Sequence, residues 1–229
     1  MKISIIIPCY NEVKTLNLII EKIINKRNLD KEIIIVDDFS DDGTRNIIKN
    51  ELSEKVTKIL YNDKNYGKGY SVRKGISVST GDIVLIQDAD LEYSPDDYEK
   101  LLKPILDGHA DVVYGSRFKS SEITRVLYFW HTLGNKFLTI LSNMFTNLNL
   151  TDMEVGYKLF KSDIIKDLNL VEDRFGFEPE VTAKIAKRKI NIFEVGISYY
   201  GRKYAEGKKI TWKDGVSAIR CIVKYNLFR

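Results

Sequence analysis

The chain has 229 residues, 44% of them hydrophobic and 30% charged, which is enough apolar material for the core of one large α/β domain. A net charge of +4 is too mild to indicate nucleic acid as a partner. The cysteines, Cys9 and Cys221, provide neither a disulfide framework nor a zinc spacing, so a reducing cytosol is the natural compartment.

Residues 3–7 are a short β-branched apolar run closed by Pro8, and they predict a buried strand. As an N-terminus the run is too short for a signal segment, and no small-residue cleavage site follows it. Residues 11–25 carry Leu16, Ile19, Ile20, Ile23 and Ile24 at helical spacing. A second buried strand is predicted at 32–36, a helix at 44–52, a third strand at 58–61 and a helix at 70–78. Residues 83–86 predict a fourth strand, 95–106 a helix and 110–114 the next strand. Ser94 is the expected N-cap of that helix, with Pro95 at its first position. Strand and helix alternate over short connections, which predicts parallel pairing and βαβ units. No Gly-x-Gly-x-x-Gly follows the first strand, and Gly67-Lys68-Gly69 lacks the Walker spacing, which argues against a dinucleotide site and a P-loop.

Beyond residue 120 the rhythm changes. Residues 126–147 form a long amphipathic stretch rich in aromatics, with Tyr128, Phe129, Trp130, Phe137 and Phe145. His131, Asn135 and Lys136 interrupt it, so it does not read as a membrane-spanning helix. Residues 157–160 predict an edge strand, 178–188 a helix, 192–199 a strand and 211–228 a terminal helix. No linker, repeat or low-complexity tract appears, so residues 1–229 read as one domain. His109 and His131 stand alone and read as structural. Basic residues gather towards the C-terminus, where Arg202, Lys203, Lys208, Lys209, Lys213, Arg220, Lys224 and Arg229 face few acids. Such an end suits phosphates or an anionic membrane surface.

The most informative run is Gly81 through Asp90, a turn, a buried strand, and then Asp88-Ala89-Asp90 where the strand should stop. Two hard oxygen ligands at the carboxyl end of a parallel strand suit Mg²⁺ or Mn²⁺ carrying a diphosphate. Open α/β sheets bind their ligands at that edge.

Other motifs close the other predicted strands. Pro8-Cys9-Tyr10-Asn11-Glu12 follows the first, and Val36-Asp37-Asp38-Phe39-Ser40 with Asp41-Asp42-Gly43-Thr44 follows the second. Asn65-Tyr66-Gly67-Lys68-Gly69 precedes the third helix, and Gly115-Ser116-Arg117-Phe118 closes the strand after Asp90. In this order they resemble an inverting family 2 glycosyltransferase with a GT-A fold, an α/β fold with a mostly parallel central sheet flanked by helices. Within that family the resemblance is strongest to the dolichol-phosphate mannose synthases and related polyprenyl-phosphate glycosyltransferases, and it covers essentially the whole chain. It implies a nucleotide-sugar-binding half over residues 1–118 and an acceptor- and membrane-facing half over 119–229.

By this resemblance Pro8, Tyr10, Glu12, Val36 and Asp38 hold the nucleotide base and ribose. A carboxylate such as Asp38 can accept from ring N–H groups of guanine or uracil, and Tyr10 offers a stacking face. Asp88, Ala89 and Asp90 are expected at the diphosphate, with Asp88, Asp90 and Glu92 as ligands of a divalent metal. The metal would neutralise charge on the leaving nucleoside diphosphate. Polyprenyl phosphate is the implied acceptor and, being anionic already, it needs positive groups rather than a general base. Arg117, Arg202 and Lys208 are expected to clamp phosphates, the last two from the basic loop Gly201 to Lys208. Asp152, in the segment Leu150 to Lys158, is placed near the sugar or the acceptor phosphate. The expected catalytic set is Asp90, Arg117, Asp152 and Arg202.

GDP-mannose and UDP-glucose are the leading donors. Residues 126–147 would take the lipid, and the protein would sit peripherally on the cytoplasmic face of a membrane, directly or through a membrane-embedded partner subunit. Two alternatives remain. A family 2 enzyme extending a surface glycan would use a sugar hydroxyl as acceptor and Asp152 as base, and a non-catalytic sugar-nucleotide-binding protein could keep Asp38 and Tyr10.

Overall fold

A computed structural model of the protein describes residues 1–119, 125–126, 128–202 and 212–228, and all structural statements concern these. Seven strands form one sheet: β1 (Ile3–Cys9), β2 (Lys31–Asp37), β3 (Lys58–Tyr61), β4 (Ile83–Ile86), β5 (Val112–Ser116), β6 (Lys158–Lys161) and β7 (Ile192–Gly196). Their order is β3-β2-β1-β4-β6-β5-β7. Ile5 on β1 pairs in register with Ile33 on β2 and Leu85 on β4, and all three are buried. Strands covered on both faces need apolar residues at every position, which explains the unbroken Ile and Val runs.

The helices are α1 (Leu16–Ile24), α2 (Thr44–Ile47), α3 (Lys68–Val78), α4 (Tyr98–Leu106), α5 (Phe129–Thr146), α6 (Ser162–Lys166), α7 (Phe177–Ala186) and α8 (Trp212–Leu227). α1 buries Leu16, Ile19, Ile20 and Ile23, the stripe that its spacing predicts. It starts five residues later than predicted, because Asn11 takes a left-handed φ of 52° and its N–H is held by Ser40 Oγ at 2.9 Å. The predicted helix at 44–52 is one α-turn followed by a π-helical turn, Ile48–Leu52. The Ser94 cap is present, its Oγ accepting from Asp96 N at 3.2 Å, although the first turn, Pro95–Asp97, is 3-10. α6 has no counterpart in the sequence reading.

One expectation fails. The strand at 157–160 is not at the edge: β6 lies inside the sheet, antiparallel to both β4 and β5. Its Lys-Leu-Phe-Lys sequence reads as exposed, yet Lys158 is fully buried, with its Nζ over the Tyr114 ring at 4.5 Å and bonded to the carbonyls of Met153 and Val155. The reversal has a functional consequence. Lys158 pairs with both Ile86 and Tyr114, so the segment before β6 lies where β4 and β5 end. The carboxyl ends of the parallel strands and residues 152–157 therefore share one edge.

α5 packs against α7 and α8. It buries Thr139 and Ser142, while Trp130, Phe137, Ile140 and Met144 are 77%, 55%, 59% and 75% exposed. Its apolar side faces outward. Among the described residues no helix is long and apolar enough to cross a membrane.

Candidate active site

A cleft of about 740 Å³ opens at this edge. Pro8, Tyr10, Glu12 and Asp38 line one end, Asp88, Ala89, Asp90 and Glu92 its middle, and α5, from Trp130 to as far along as Leu138, the other.

Two cations hold the Asp88-Ala89-Asp90 turn. Lys68, at the start of α3, reaches Asp88 at 2.9 Å and Glu178 at 3.2 Å. Burial opposes the Lys68 charge, and the two carboxylates more than restore it, so its pKa stands above the usual lysine value. The glycines around Lys68 permit this placement. Gly67 has a φ of +108°, and a Cβ on it would lie 2.6 Å from the Asp173 carbonyl; one on Gly69 would lie 2.4 Å from that of Glu172. Gly156 faces the same pair, since a Cβ there would meet Asp88 Oδ2 at 2.4 Å and Lys68 Nζ at 2.8 Å.

Arg202 holds the other carboxylate. Its Nη2 donates to Asp90 at 2.9 Å, and its two terminal nitrogens donate to the two oxygens of Glu12 at 3.1 Å each. The Arg202 backbone N–H donates to Glu92 at 2.6 Å, and Tyr199 OH donates to the other Glu92 oxygen at 2.9 Å. Burial, together with the neighbouring charges of Asp88 and Glu92, pushes the Asp90 carboxyl up to about 7. The turn thus concentrates more negative charge than Arg202 offsets. Its oxygens are the donor type that a hard divalent cation takes, and such ions commonly use one or two carboxylates plus substrate phosphate. Asp88 and Asp90 fit that pattern. Glu92 points to Arg202 and Tyr199, and no group of three or more acidic, cysteine or histidine side chains among the described residues forms a ready-made cage.

Arg117, at the end of β5, also lines the cleft. Its Nε and Nη2 donate to the two oxygens of Asp152 at 2.7 Å each, and its backbone N–H adds a third bond at 3.0 Å. Burial works against the guanidinium charge, and Asp152 with Tyr93 and Tyr199 more than restores it, leaving its pKa well above the ordinary value.

The predicted residues thus separate into groups. Pro8, Tyr10, Glu12, Asp38, Asp88, Ala89, Asp90, Glu92, Arg117 and Arg202 converge on the cleft. Val36 does not: its side chain is fully buried in β2 and belongs to the core. Asp152 is likewise fully buried, a support for Arg117 rather than a wall of the cleft. Asp38 lines the cleft, but its oxygens accept from Asn62 Nδ2 at 2.8 Å and from the N–H groups of Tyr66 and Gly67 at 3.0 and 2.7 Å, which fixes the loop leading into α3. Lys208 lies outside the described residues. The sequence reading missed Lys68, Glu154 and Glu178 as cleft residues. The first two stand inside quoted motifs, whereas Glu178 opens a helix with no local signal.

Residues 4–168 match the family model of glycosyl transferase family 2. A dolichol-phosphate mannosyltransferase of Pyrococcus furiosus is 27% identical over 215 residues, spanning 92% of this chain and 61% of that protein. A UDP-N-acetylglucosamine–dolichyl-phosphate N-acetylglucosaminyltransferase of Methanococcus voltae is 30% identical over 223 residues, 89% of this chain and 87% of its own. Among solved structures, glucosyl-3-phosphoglycerate synthase of Mycobacterium tuberculosis, in complex with Mn²⁺, UDP and its product, superposes with a TM-score of 0.76 at 18% identity, over 98% of this chain and 80% of that one. Mannosyl-3-phosphoglycerate synthase of Rubrobacter xylanophilus does so at 0.74 and 19%, over 98% and 72%. Family model and architecture agree, and the chain belongs to glycosyl transferase family 2, with a GT-A fold.

Proposed function

We propose that the protein transfers a sugar from a nucleoside diphosphate sugar to polyprenyl phosphate, with inversion at the anomeric carbon. One observation carries the reading. The cleft that holds Asp88 and Asp90 runs to the start of α5, and the outer side of α5 carries the exposed apolar residues Trp130, Leu133, Phe137, Ile140 and Met144. A phosphate at a membrane surface could enter the cleft from that end while its lipid lies along the helix.

The roles follow from the geometry. Pro8 and Tyr10 line the end that would take the base. A divalent ion on Asp88 and Asp90, when bound, would neutralise charge on the departing diphosphate. Arg117, fixed on three hydrogen bonds by Asp152, presents a permanent positive charge to the anionic acceptor. Arg202 bridges Glu12 and Asp90 and stands ready to exchange these carboxylates for phosphate oxygens; Lys208 would join it. The acceptor oxygen attacks the anomeric carbon from the face opposite the diphosphate and has no proton to lose.

The glycan-extending alternative assigns the base to Asp152, and both Asp152 oxygens are held by Arg117. A binding protein without turnover gives no reason for the apolar stripe to meet the cleft. Docking would be peripheral, on the cytoplasmic face, and a membrane-embedded partner is the other route to the lipid.

The test is to offer GDP-mannose, UDP-glucose and UDP-N-acetylglucosamine with Mn²⁺ and a short polyprenyl phosphate, and to measure nucleoside diphosphate release. Asp90→Asn should lower turnover by about a hundredfold or more while leaving the unfolding midpoint nearly unchanged. Undiminished turnover in EDTA would remove the metal from the proposal, and failure of every donor would remove the transferase reading.

A further inference from the structure

Among the cleft carboxylates that the proposed transfer does not use, Glu154 and Glu178 each carry an oxygen unpartnered among the described residues. Glu178, in the first turn of α7, has a side chain only 4% exposed. Its Oε1 meets Lys68, and its Oε2 has no hydrogen-bond partner among the described residues. Glu154, in the segment before β6, also lines the cleft, and its Oε1 is buried and without a partner. Folded chains rarely leave such oxygens unbonded.

The two are held in place. Lys68 ties Glu178 to Asp88, so this carboxylate lies one ammonium group away from the Asp88-Ala89-Asp90 turn. Around Glu154, Met153 N donates to Thr139 Oγ1 at 3.2 Å, Gly156 N donates to Tyr93 OH at 3.2 Å, and the carbonyls of Met153 and Val155 receive Lys158. Burial and the nearby Glu178 push the Glu154 carboxyl up to about 8, so it can donate as well as accept.

Nearby cationic donors are already engaged. Lys158 binds two carbonyls and Arg117 binds Asp152. A further metal ion is a poor occupant, because the ammonium groups of Lys68 and Lys158 act on this pair. A neutral ligand rich in hydroxyls fits, since each hydroxyl can both donate to an orphan oxygen and accept from a protonated carboxyl.

We propose that Glu154 and Glu178 form the subsite that binds the hydroxyl groups of the transferred hexose. This rests on the reading of the cleft as a transferase site and adds the residues that select the sugar. Glu178 stands next to Asp88 across Lys68, beside the place where that reading puts the sugar-bearing diphosphate, and Glu154 is close enough to Glu178 to feel its charge.

Calorimetry separates the two readings. Wild-type protein with Mn²⁺ is titrated with UDP and UDP-glucose, and with GDP and GDP-mannose. One sugar nucleotide should bind more tightly than its own diphosphate. Glu178→Gln and Glu154→Gln should each weaken that sugar nucleotide by at least about tenfold, with the diphosphate affinity held within about twofold. Glu154→Gln is nearly isosteric and leaves the Lys68 pairings untouched, so it serves even if Glu178→Gln loses stability. Equal losses for diphosphate and sugar nucleotide, or no loss in Glu154→Gln, would overturn the subsite and leave the transferase reading standing. Wild type that binds no nucleotide would overturn both.

Discussion

Two regions of the molecule, β1 with α1 and the stretch from α5 to α7, bury different things. In β1 and α1 the buried side chains are almost all Ile and Leu. Beyond residue 119, buried positions include Thr139, Ser142, Asp152, Lys158, Glu178, Glu180 and Thr182, while Phe129, Trp130, Phe137 and Met144 lie exposed. The first region fits the rule that apolar surface leaves water. The second departs from it in both directions. Several of its buried polar groups are bonded to side chains on or just after β5, as Asp152 is to Arg117 and Thr182 is to Tyr114. Its exposed apolar side chains lie on one side of α5, at Leu133, Phe137, Ile140 and Met144, a spacing of four, three and four residues. Departures of this kind mark where a chain is shaped by its ligands as well as by its own core.

The sharpest way to break the comparison is to strike a buried polar pair. Asp152→Ala leaves the Arg117 guanidinium with 9% side-chain exposure and no carboxylate, and should destabilise the fold by about 3–5 kcal/mol. Asp96→Ala, which removes a carboxylate paired with Lys26 but 76% exposed, should change stability by about 0–1 kcal/mol. Urea midpoints read both. If the two variants were equally mild, the polar interior of the second half would not be holding the structure together.

The same contrast decides what was legible in the sequence. Strands β1, β2 and β4 each carry an uninterrupted apolar run, at residues 5–7, 33–36 and 83–86, and local pattern suffices to find them. β6 is legible as a strand but not as an interior one, because a run that begins and ends with lysine reads as exposed, and the carbonyls of residues 153 and 155 and the Tyr114 ring make a buried Lys158 tolerable. The motif order locates the cleft, since strand ends in a parallel sheet meet at one edge. It does not show which charges neutralise one another. Glu12 and Arg202 are 190 residues apart, and Arg117 and Asp152 are 35 apart, so Asp152 reads as a site residue until its partner is seen. The charged terminal helix changes meaning for the same reason. Arg220 and Lys224 both pair with Glu172, so they are not simply a basic surface awaiting a membrane.

The apolar stripe gives the next largest effect. If α5 meets a bilayer, Trp130→Asp should reduce co-sedimentation with anionic liposomes on the order of tenfold, without lowering the unfolding midpoint. Because Arg220 and Lys224 are held by Glu172, added salt should weaken binding less than the substitution does. Wild type that stays in the supernatant at low salt would leave a membrane-embedded partner as the route to the lipid.

The smallest effect concerns a single proton in the second half. The Glu154 carboxyl is raised from its ordinary value of 4.5 to about 8 by burial and by Glu178, with Asp152 also raising it and Lys158 and Arg117 opposing. Between these values the folded protein keeps a proton that the unfolded chain has released. Wild-type stability therefore falls as pH rises from the ordinary carboxylate range towards 8, and the fall is complete above it. Lys158, lowered to about 8 by burial, changes its own proton mainly above that pH, and Asp90, raised to about 7, shares the acid side, so comparison with a variant lacking the Glu154 proton is what isolates it. Glu154→Gln cannot titrate. Its urea midpoint should fall less than that of wild type between about pH 5 and pH 8. A variant with the wild-type slope would mean that Glu154 is already ionised across this range, and the carboxyl facing the sugar would then be an acceptor only.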